Sequence, residues 1–521
     1  MRELYQTDHK RWREMSTSWG ERFPERSKLA GQVIPNGSRV LDLGAGTMVL
    51  KRYLKEDCIY QPCDLYSRDS NCLEADLNKR EFPEGKKYDW VTLIGLFQFL
   101  KEPEWVLNKC RDVASHLYVT FSPRVRMELK DEEKVWREGE GWFNHHNLGE
   151  YIQLVERCGW KVEKIAKLPA NVVLVASQKM STRTDDPLNE VKNLAKVELH
   201  RHLEGSLRPE MLLGLAQKNR INLPFRQPED WKAKLRFNSF EDFIPPFLVG
   251  VKCLRELDDF EAVAYDLGLQ MVEENILYAE VTFTAQFYLG RPFPMIEILR
   301  ALNRGREKVR LEFGRHINWV IDLVRNRPKL AREAFDSIMA LDLESLGVVG
   351  LGLGGPEIGF PVDPLRDCFV EASRRGLAIL PHAGESGGAS SIREAINLGA
   401  KRLGHGVQAH LHPELLRELI EKEIHLEVCI GSNVALKLFS EKEHPVRELF
   451  DSGCRMSLNS DDPVLFQSDM NKEWRRAIEH HHFELKDLRK LNQMALEDSM
   501  ASPSLKRELS LALSENWKEL D

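Results

Sequence analysis

The sequence predicts an α/β protein of two domains in series, an open and mostly parallel sheet followed by a (β/α)8 barrel. Three observations carry that expectation. At 521 residues the chain exceeds what one ordinary core accommodates. Its first third alternates strand-length apolar runs with helical stretches around a glycine turn. From about residue 195 onward, such runs recur eight times, most of them separated by amphipathic stretches long enough for a helix.

Composition narrows the class. Hydrophobic residues make up 42% and charged residues 30%, the balance of a water-soluble globular protein. Lys and Arg number 74 against 81 acids, a net charge of −7, too small to argue for or against nucleic acid. The opening MRELYQTDHKRWREM lacks the apolar segment of a signal peptide. The longest apolar run, residues 90–100, is far short of the ~20 residues that span a bilayer. Nine cysteines without an export signal are expected to be reduced thiols in a cytoplasm. A membrane is therefore not expected as a partner, nucleic acid gives no clear signal, and oligomeric state is left open.

The first domain is expected over residues 1–180. Residues 38–47, SRVLDLGAGT, read as a buried strand ending in glycines, followed by a helical stretch at 49–54. A second strand ends at Asp64, and Asp76 follows in Glu74-Ala75-Asp76-Leu77. Residues 88–94, 116–121 and 172–176 read as later strands. In such a Rossmann-like sheet the ligand lies beyond the strand C-termini, where a glycine turn lets backbone approach it and an acid can meet ribose hydroxyls. The stretch resembles class I methyltransferases, which bind S-adenosylmethionine. The resemblance places Asp42, Gly44 and Gly46 on the first motif, Asp64 on the ribose-binding acid and Asp76 at the adenine edge. Two departures stand out: Met48 replaces the third glycine, and no Asn-Pro-Pro-Tyr tetrapeptide follows the fourth strand. A dinucleotide site is the rival, but Val49 breaks G-x-G-x-x-G. Active methyl transfer and a degenerate module kept for folding both stay open. Residues 181–194, polar at first and containing proline, read as the joint.

The second domain is expected over residues 195–521. Its eight runs are 197–202, 277–284, 317–324, 348–353, 377–382, 402–407, 425–429 and 455–459, with helices such as 364–375 and 413–422 between them. The long gap between the first two runs is an insertion. Chemistry in TIM-type barrels sits at the C-terminal ends of the strands, and the polar clusters of this region are there.

Those clusters suit a metal. His200 and His202 are two apart on a strand, so both side chains leave the same face. His382 ends the fifth strand and Asp461 the eighth. Three nitrogens and one carboxylate form a natural Zn²⁺ ligand set with a position open for water. Zinc lowers the pKa of that water from ~15.7 toward ~7. Attack on the amine-bearing carbon of a purine then needs a ring nitrogen protonated, for which Glu385, three residues after His382, is placed. His405, one strand further round, can take the water's proton. Asp461 and Asp462 point apart, so one can bind metal while the other meets substrate.

His200-Arg201-His202-Leu203-Glu204-Gly205, His382-Ala383-Gly384-Glu385, Gly404-His405-Gly406 and Ser457-Leu458-Asn459-Ser460-Asp461-Asp462-Pro463 resemble the adenosine deaminase family along its full length. The resemblance implies zinc on His200, His202, His382 and Asp461, with Glu385 protonating the purine and His405 acting on the water. It places Asp462 at an imidazole nitrogen of the purine and the Gly355 amide at another ring nitrogen. Phe240, Phe243 and Phe247 would form an apolar lid, and Glu204 would meet the ribose end, where the family commonly has Asp. Gly352-Leu353-Gly354-Gly355-Pro356-Glu357 departs from the usual Asp-Leu-Ala-Gly-Asp-Glu and looks more like relatives acting on 5′-modified adenosines, such as aminodeoxyfutalosine deaminases. Glu204 is similar to adenine deaminases, although those usually carry Asp in place of Gly404. The leading expectation is hydrolytic deamination of a small-molecule purine nucleoside, adenosine or a 5′-modified derivative, by a barrel fused to the methyltransferase-like domain. Adenine and AMP deaminases are near alternatives. A barrel hydrolase of amides or lactones, and a nucleoside-binding scaffold or sensor, are more distant ones. Cytidine-type zinc deaminases are excluded by the absence of P-C-x-x-C.

Overall fold

In the computed structural model, residues 23–67, 69–83, 85–123, 137, 142–168, 171–178 and 187–517 are described. The chain divides into two units between residues 182 and 183. The first contains a seven-stranded sheet of β1 (Arg39–Leu43), β2 (Ile59–Asp64), β3 (Leu73–Glu74), β4 (Tyr88–Ile94), β5 (Ala114–Phe121), β6 (Trp160–Leu168) and β7 (Asn171–Gln178). Its order is β3-β2-β1-β4-β5-β7-β6. The strands from β3 to β5 are parallel, whereas β7 runs antiparallel to both β5 and β6. Strand order reverses at β1, which pairs with β2 on one side and β4 on the other.

The helical stretch expected at 49–54 is only one 3₁₀ turn, Val49–Arg52. Gly44, Gly46 and Met48 all have positive φ, so the chain turns repeatedly before any helix can start. β2 begins at Ile59, which leaves no room for a longer one.

The second unit holds all eight expected strands: β8 (Lys196–His202), β9 (Ile276–Phe283), β10 (His316–Val324), β11 (Val348–Gly354), β12 (Ala378–Ala383), β13 (Arg402–His405), β14 (His425–Val428) and β15 (Met456–Leu458). They pair in parallel, each with its neighbour in sequence. Every residue of β8, β13, β14 and β15 is buried, including the polar ones that interrupt their apolar runs. The ring closes between its first and last strands through the backbone of Asp461. Its N–H donates to His200 O at 3.1 Å, and its carbonyl accepts from His202 N at 2.8 Å. Residues that would hold the metal thus also clasp the barrel.

Helices Pro209–Lys218, Pro228–Lys234, Phe240–Cys253 and Leu257–Glu274 fill the insertion between β8 and β9. The expected joint at 181–194 needs revision. Residues 181–186 lie outside the described residues, while Pro187–Glu190 is a helical turn and Val191 and Leu194 are buried. Their carbonyls accept from the buried Lys196 ammonium at 2.8 and 2.7 Å, so this segment belongs to the second unit. All nine cysteines are free thiols. Among the described residues, no helix is long and apolar enough to cross a membrane.

Candidate metal and catalytic centre

At the C-terminal rim of the barrel, four side chains converge. One ligand atom each from His200, His202, His382 and Asp461 lies within 4.8 Å of all the others. Asp461 Oδ1 stands 3.5 Å from His200 Nε2 and 3.4 Å from His202 Nε2, and the Nε2 atoms of His202 and His382 are 3.2 Å apart. β8 delivers the first two histidines to one face, and β12 delivers His382 from across the barrel. Asp461 follows β15 with φ +62, an uncommon conformation for a non-glycine residue.

Two glycines of the sequence motifs are explained by this crowding. A Cβ on Gly404 would come 2.7 Å from His200 Cε1, and one on Gly205 would overlap the Asp462 carboxylate.

The residues fit a divalent cation. His200 Nε2 is buried without a hydrogen-bond partner among the described residues. Burial lowers the imidazoles of His202, to about 3, and of His382, leaving both neutral with lone pairs to offer. Burial alone would lower His200 too, but the neighbouring Asp461 and Glu427 carboxylates raise it to about 10. Acidic surroundings that favour a proton there favour a cation in its place. Asp461 is held well below the usual carboxylate range, against the effect of burial, by His200 and the other imidazoles. The far side of two of these imidazoles is fixed as well: Glu427 Oε2 stands 2.7 Å from His200 Nδ1, and Leu353 O stands 3.1 Å from His382 Nδ1. Such partners set the tautomer that frees Nε2 for a metal.

Beside this cluster, His405 Nε2 lies 3.7 Å from both Glu385 Oε1 and Asp461 Oδ2. Burial lowers His405 to about 4, so the imidazole is neutral, and Asn433 stands 3.2 Å from its Nδ1. Glu385 is pushed well above the ordinary glutamate range by burial and then by the charges of Asp461 and Glu357. Glu357 itself accepts from the backbone N–H groups of Gly384, Glu385 and Ser386 at 2.7, 2.9 and 2.9 Å, and so fixes the turn that presents Glu385. Asp462 is buried and held high by burial and by Asp461.

A cavity opens onto these groups. Glu385, His405, Asp461, Asp462 and Gly355 line it together with Phe240, Phe243, Phe247, Phe287 and Phe466. The expected lid residues Phe240, Phe243 and Phe247 thus face the chemistry from helix Phe240–Cys253, with Phe243 stacked on Phe466 at 5.1 Å. Glu204 is placed differently from expectation. It does not line the cavity; its Oε1 accepts from Thr284 N and Tyr288 OH at 3.2 and 3.3 Å, which turns the carboxyl into the wall. Sequence reasoning passed over Glu427, Glu357 and Asp322. The available signal was an acid inside, or just after, a buried strand.

In the first unit the predicted cofactor acids are engaged locally. Asp42 accepts from Thr92 Oγ1 and Tyr60 OH at 2.6 and 2.7 Å, and burial raises it to about 6. Asp64 accepts from Gly46 N and Leu65 N at 2.5 and 2.6 Å, and Asp76 caps a short turn by accepting from Asn78 N at 3.1 Å. Gly44 and Gly46 form the turn between β1 and Val49–Arg52.

Residues 195–515 match the adenosine deaminase family model. The chain is similar to the adenine deaminase of Psychrobacter cryohalolentis, 31% identical over 321 residues that span 61% of this chain and 96% of that protein. It is also similar to the adenosine deaminase of Streptococcus mutans, 31% identical over 344 residues, 64% of this chain and 96% of that one. Among solved structures, the adenine deaminase of Arthrobacter aurescens superposes with a TM-score of 0.60 at 25% identity, covering 62% of this chain and 99% of that one.

Proposed function

We infer that this chain, which belongs to the adenosine deaminase family over residues 195–515, removes the exocyclic amine of a 6-aminopurine by hydrolysis, with zinc as the metal. The observation that carries the reading is the placement of Glu385 and Asp461 at 3.7 Å from the same His405 nitrogen, beside three converging imidazoles. His200, His202, His382 and Asp461 would hold the zinc, which would supply a water acidified from ~15.7 toward ~7. Glu385, kept protonated by burial, gives its proton to a ring nitrogen and makes the amine-bearing carbon electrophilic. Neutral His405 accepts the proton that the attacking water sheds. Asp462 and the Gly355 backbone orient the purine, and the phenylalanine wall excludes solvent from it. His405 passes that proton to the amine, the carbon–nitrogen bond breaks and ammonia leaves; water's oxygen remains as the 6-oxo group, and its second proton restores Glu385.

Free adenine is preferred here over adenosine and its 5′-modified derivatives. Glu204 lies folded into the wall instead of reaching a sugar, and both the Psychrobacter and Arthrobacter proteins are named adenine deaminases. The test is ammonia release and ultraviolet absorbance with adenine, adenosine and AMP. Absence of turnover with all three by zinc-loaded protein defeats the reading.

For the first unit we propose binding of S-adenosylmethionine at the glycine turn. The supporting feature is strand order, which reverses at β1 directly beneath Gly44 and Gly46. Calorimetric titration of the full chain tests it. No heat with S-adenosylmethionine or S-adenosylhomocysteine counts against it.

A further inference from the structure

One carboxyl lining the cavity has no part in the chemistry above. Asp322, in β10, is 2% exposed, and its Oδ1 has no hydrogen-bond partner among the described residues. The chain makes room for it. A Cβ on Gly354 would come 2.5 Å from its Oδ2, and one on Gly352 would come 2.9 Å from its Oδ1. A buried, unpaired acid costs roughly 1–3 kcal/mol in lost hydrogen bonding, so its retention in a cavity wall calls for a ligand that uses it.

Strand order identifies the part of the ligand it meets. Around the rim, Glu385 follows β12, Gly355 follows β11, Asp322 belongs to β10, and Asp462 follows β15, which closes on β8. Glu385, the proton donor, meets N1 beside the amine-bearing carbon, and Asp462, next in chain to the metal ligand Asp461, meets N7 on that carbon's other side. Gly355 then meets N3, which turns the remaining nitrogen, N9, toward β10. This orientation rests on the deaminase reading given above.

We propose that Asp322 accepts the N9–H of an unsubstituted 6-aminopurine and thereby selects the free base against its N9-glycosides. In a free base N9 is a donor that needs an acceptor. In a nucleoside it carries carbon, leaves Asp322 unpaired and drives the sugar into the carboxyl. Burial first, and then the nearby Glu204, raise Asp322 to about 8, so the acceptor is an uncharged carboxyl oxygen at neutral pH. An apolar cavity tolerates that form best.

The probe is 9-methyladenine, which removes the one N–H and adds only a methyl group. Zinc-loaded full chain as wild type, Asp322→Ala and Asp322→Asn is compared on adenine and 9-methyladenine by kcat/KM for ammonia release. Wild type should favour adenine by about 10²-fold or more, the kind of discrimination a site built for an N–H achieves. Asp322→Ala should lose most of that ratio through slower turnover of adenine. Asp322→Asn keeps a carbonyl oxygen and should restore part of it. An equal fall on both purines in Asp322→Ala, or wild type that accepts the two equally, overturns the proposal. Calorimetric affinities for the same pair report the ratio without turnover. If they show the selectivity and its loss in Asp322→Ala while no ammonia forms, Asp322 keeps its role and the deaminase reading fails instead.

Discussion

Glu427 and His200 form a pair 2.7 Å apart at the base of the metal cluster, carboxylate oxygen to Nδ1. The other Glu427 oxygen accepts from Arg402, whose guanidinium also binds Glu280, so the pair is anchored inside the barrel. The arrangement holds the His200 ring with Nε2 toward Asp461 and strengthens that nitrogen as a ligand. Glu427→Gln should weaken zinc binding by about 10- to 100-fold. Competition with a chromophoric chelator measures it; unchanged affinity would show that His200 is oriented by packing alone.

Zinc uptake should release a proton. Without metal, His200 titrates at about 10, so it carries a proton at pH 7–8 that a metal must displace. The sign follows directly: below pH 10 affinity rises with pH, by about tenfold for each pH unit, while the other ligands stay deprotonated. Zinc titration in two buffers of different ionisation enthalpy counts the released protons. Near one is expected, and none would place the His200 proton elsewhere.

Removing Glu385's proton should stop turnover without emptying the site. Glu385→Gln is expected to retain zinc and bind adenine while lowering kcat by about 10²–10⁴-fold. The carboxyl lies above its ordinary range in the folded protein, and it acts in its protonated form. Wild-type kcat/KM should therefore fall as pH rises through that elevated pKa. The same alkaline fall in the residual activity of Glu385→Gln would assign it to another group.

The legible parts of this centre are those where a polar residue interrupts or ends an apolar run. His200, His382, His405 and Asp461 stand out for that reason, and all four meet. The barrel is legible from the recurrence of eight strand-length runs separated by amphipathic stretches, even though fully buried strands such as Lys196–His202 and His425–Val428 carry polar residues. Glu427 and Asp322 are not. Each is a lone acid inside a strand, and its meaning depends on a partner or cavity assembled from distant strands. Glu204 misled because its motif position suggests a sugar contact, whereas Thr284 and Tyr288, about 80 residues on, turn it into the wall. The helix expected over 49–54 shrinks to one turn because the residue before it, Met48, adopts φ +56, which its type does not signal. The joint was drawn too long because the polar residues 181–186 precede a segment whose apolar side chains, Val191 and Leu194, pack into the second unit.

Stability should depend on pH through Glu473, away from the active centre. This residue, in helix Met470–His481, is fully buried; its carboxylate accepts from Gly431 N at 3.1 and 3.0 Å and from Ser468 Oγ at 2.5 Å. Burial raises it from 4.5 to about 7, outweighing the opposing effects of Ser468, Arg476 and Gly431. A carboxyl whose folded pKa exceeds its unfolded value binds its proton more tightly when folded. The contribution is therefore complete below about pH 4.5 and is lost as pH rises through about 7. Glutamine keeps a carbonyl for Gly431 N and cannot ionise. Relative to wild type, Glu473→Gln should gain stability between pH 5 and pH 8.5, by at most about 3 kcal/mol. Thermal unfolding of the zinc-loaded full chain at both pH values isolates this group, because other raised carboxyls such as Glu274 are common to both proteins. A constant difference between the two proteins across that range would mean that Glu473 ionises in the fold as readily as in the unfolded chain.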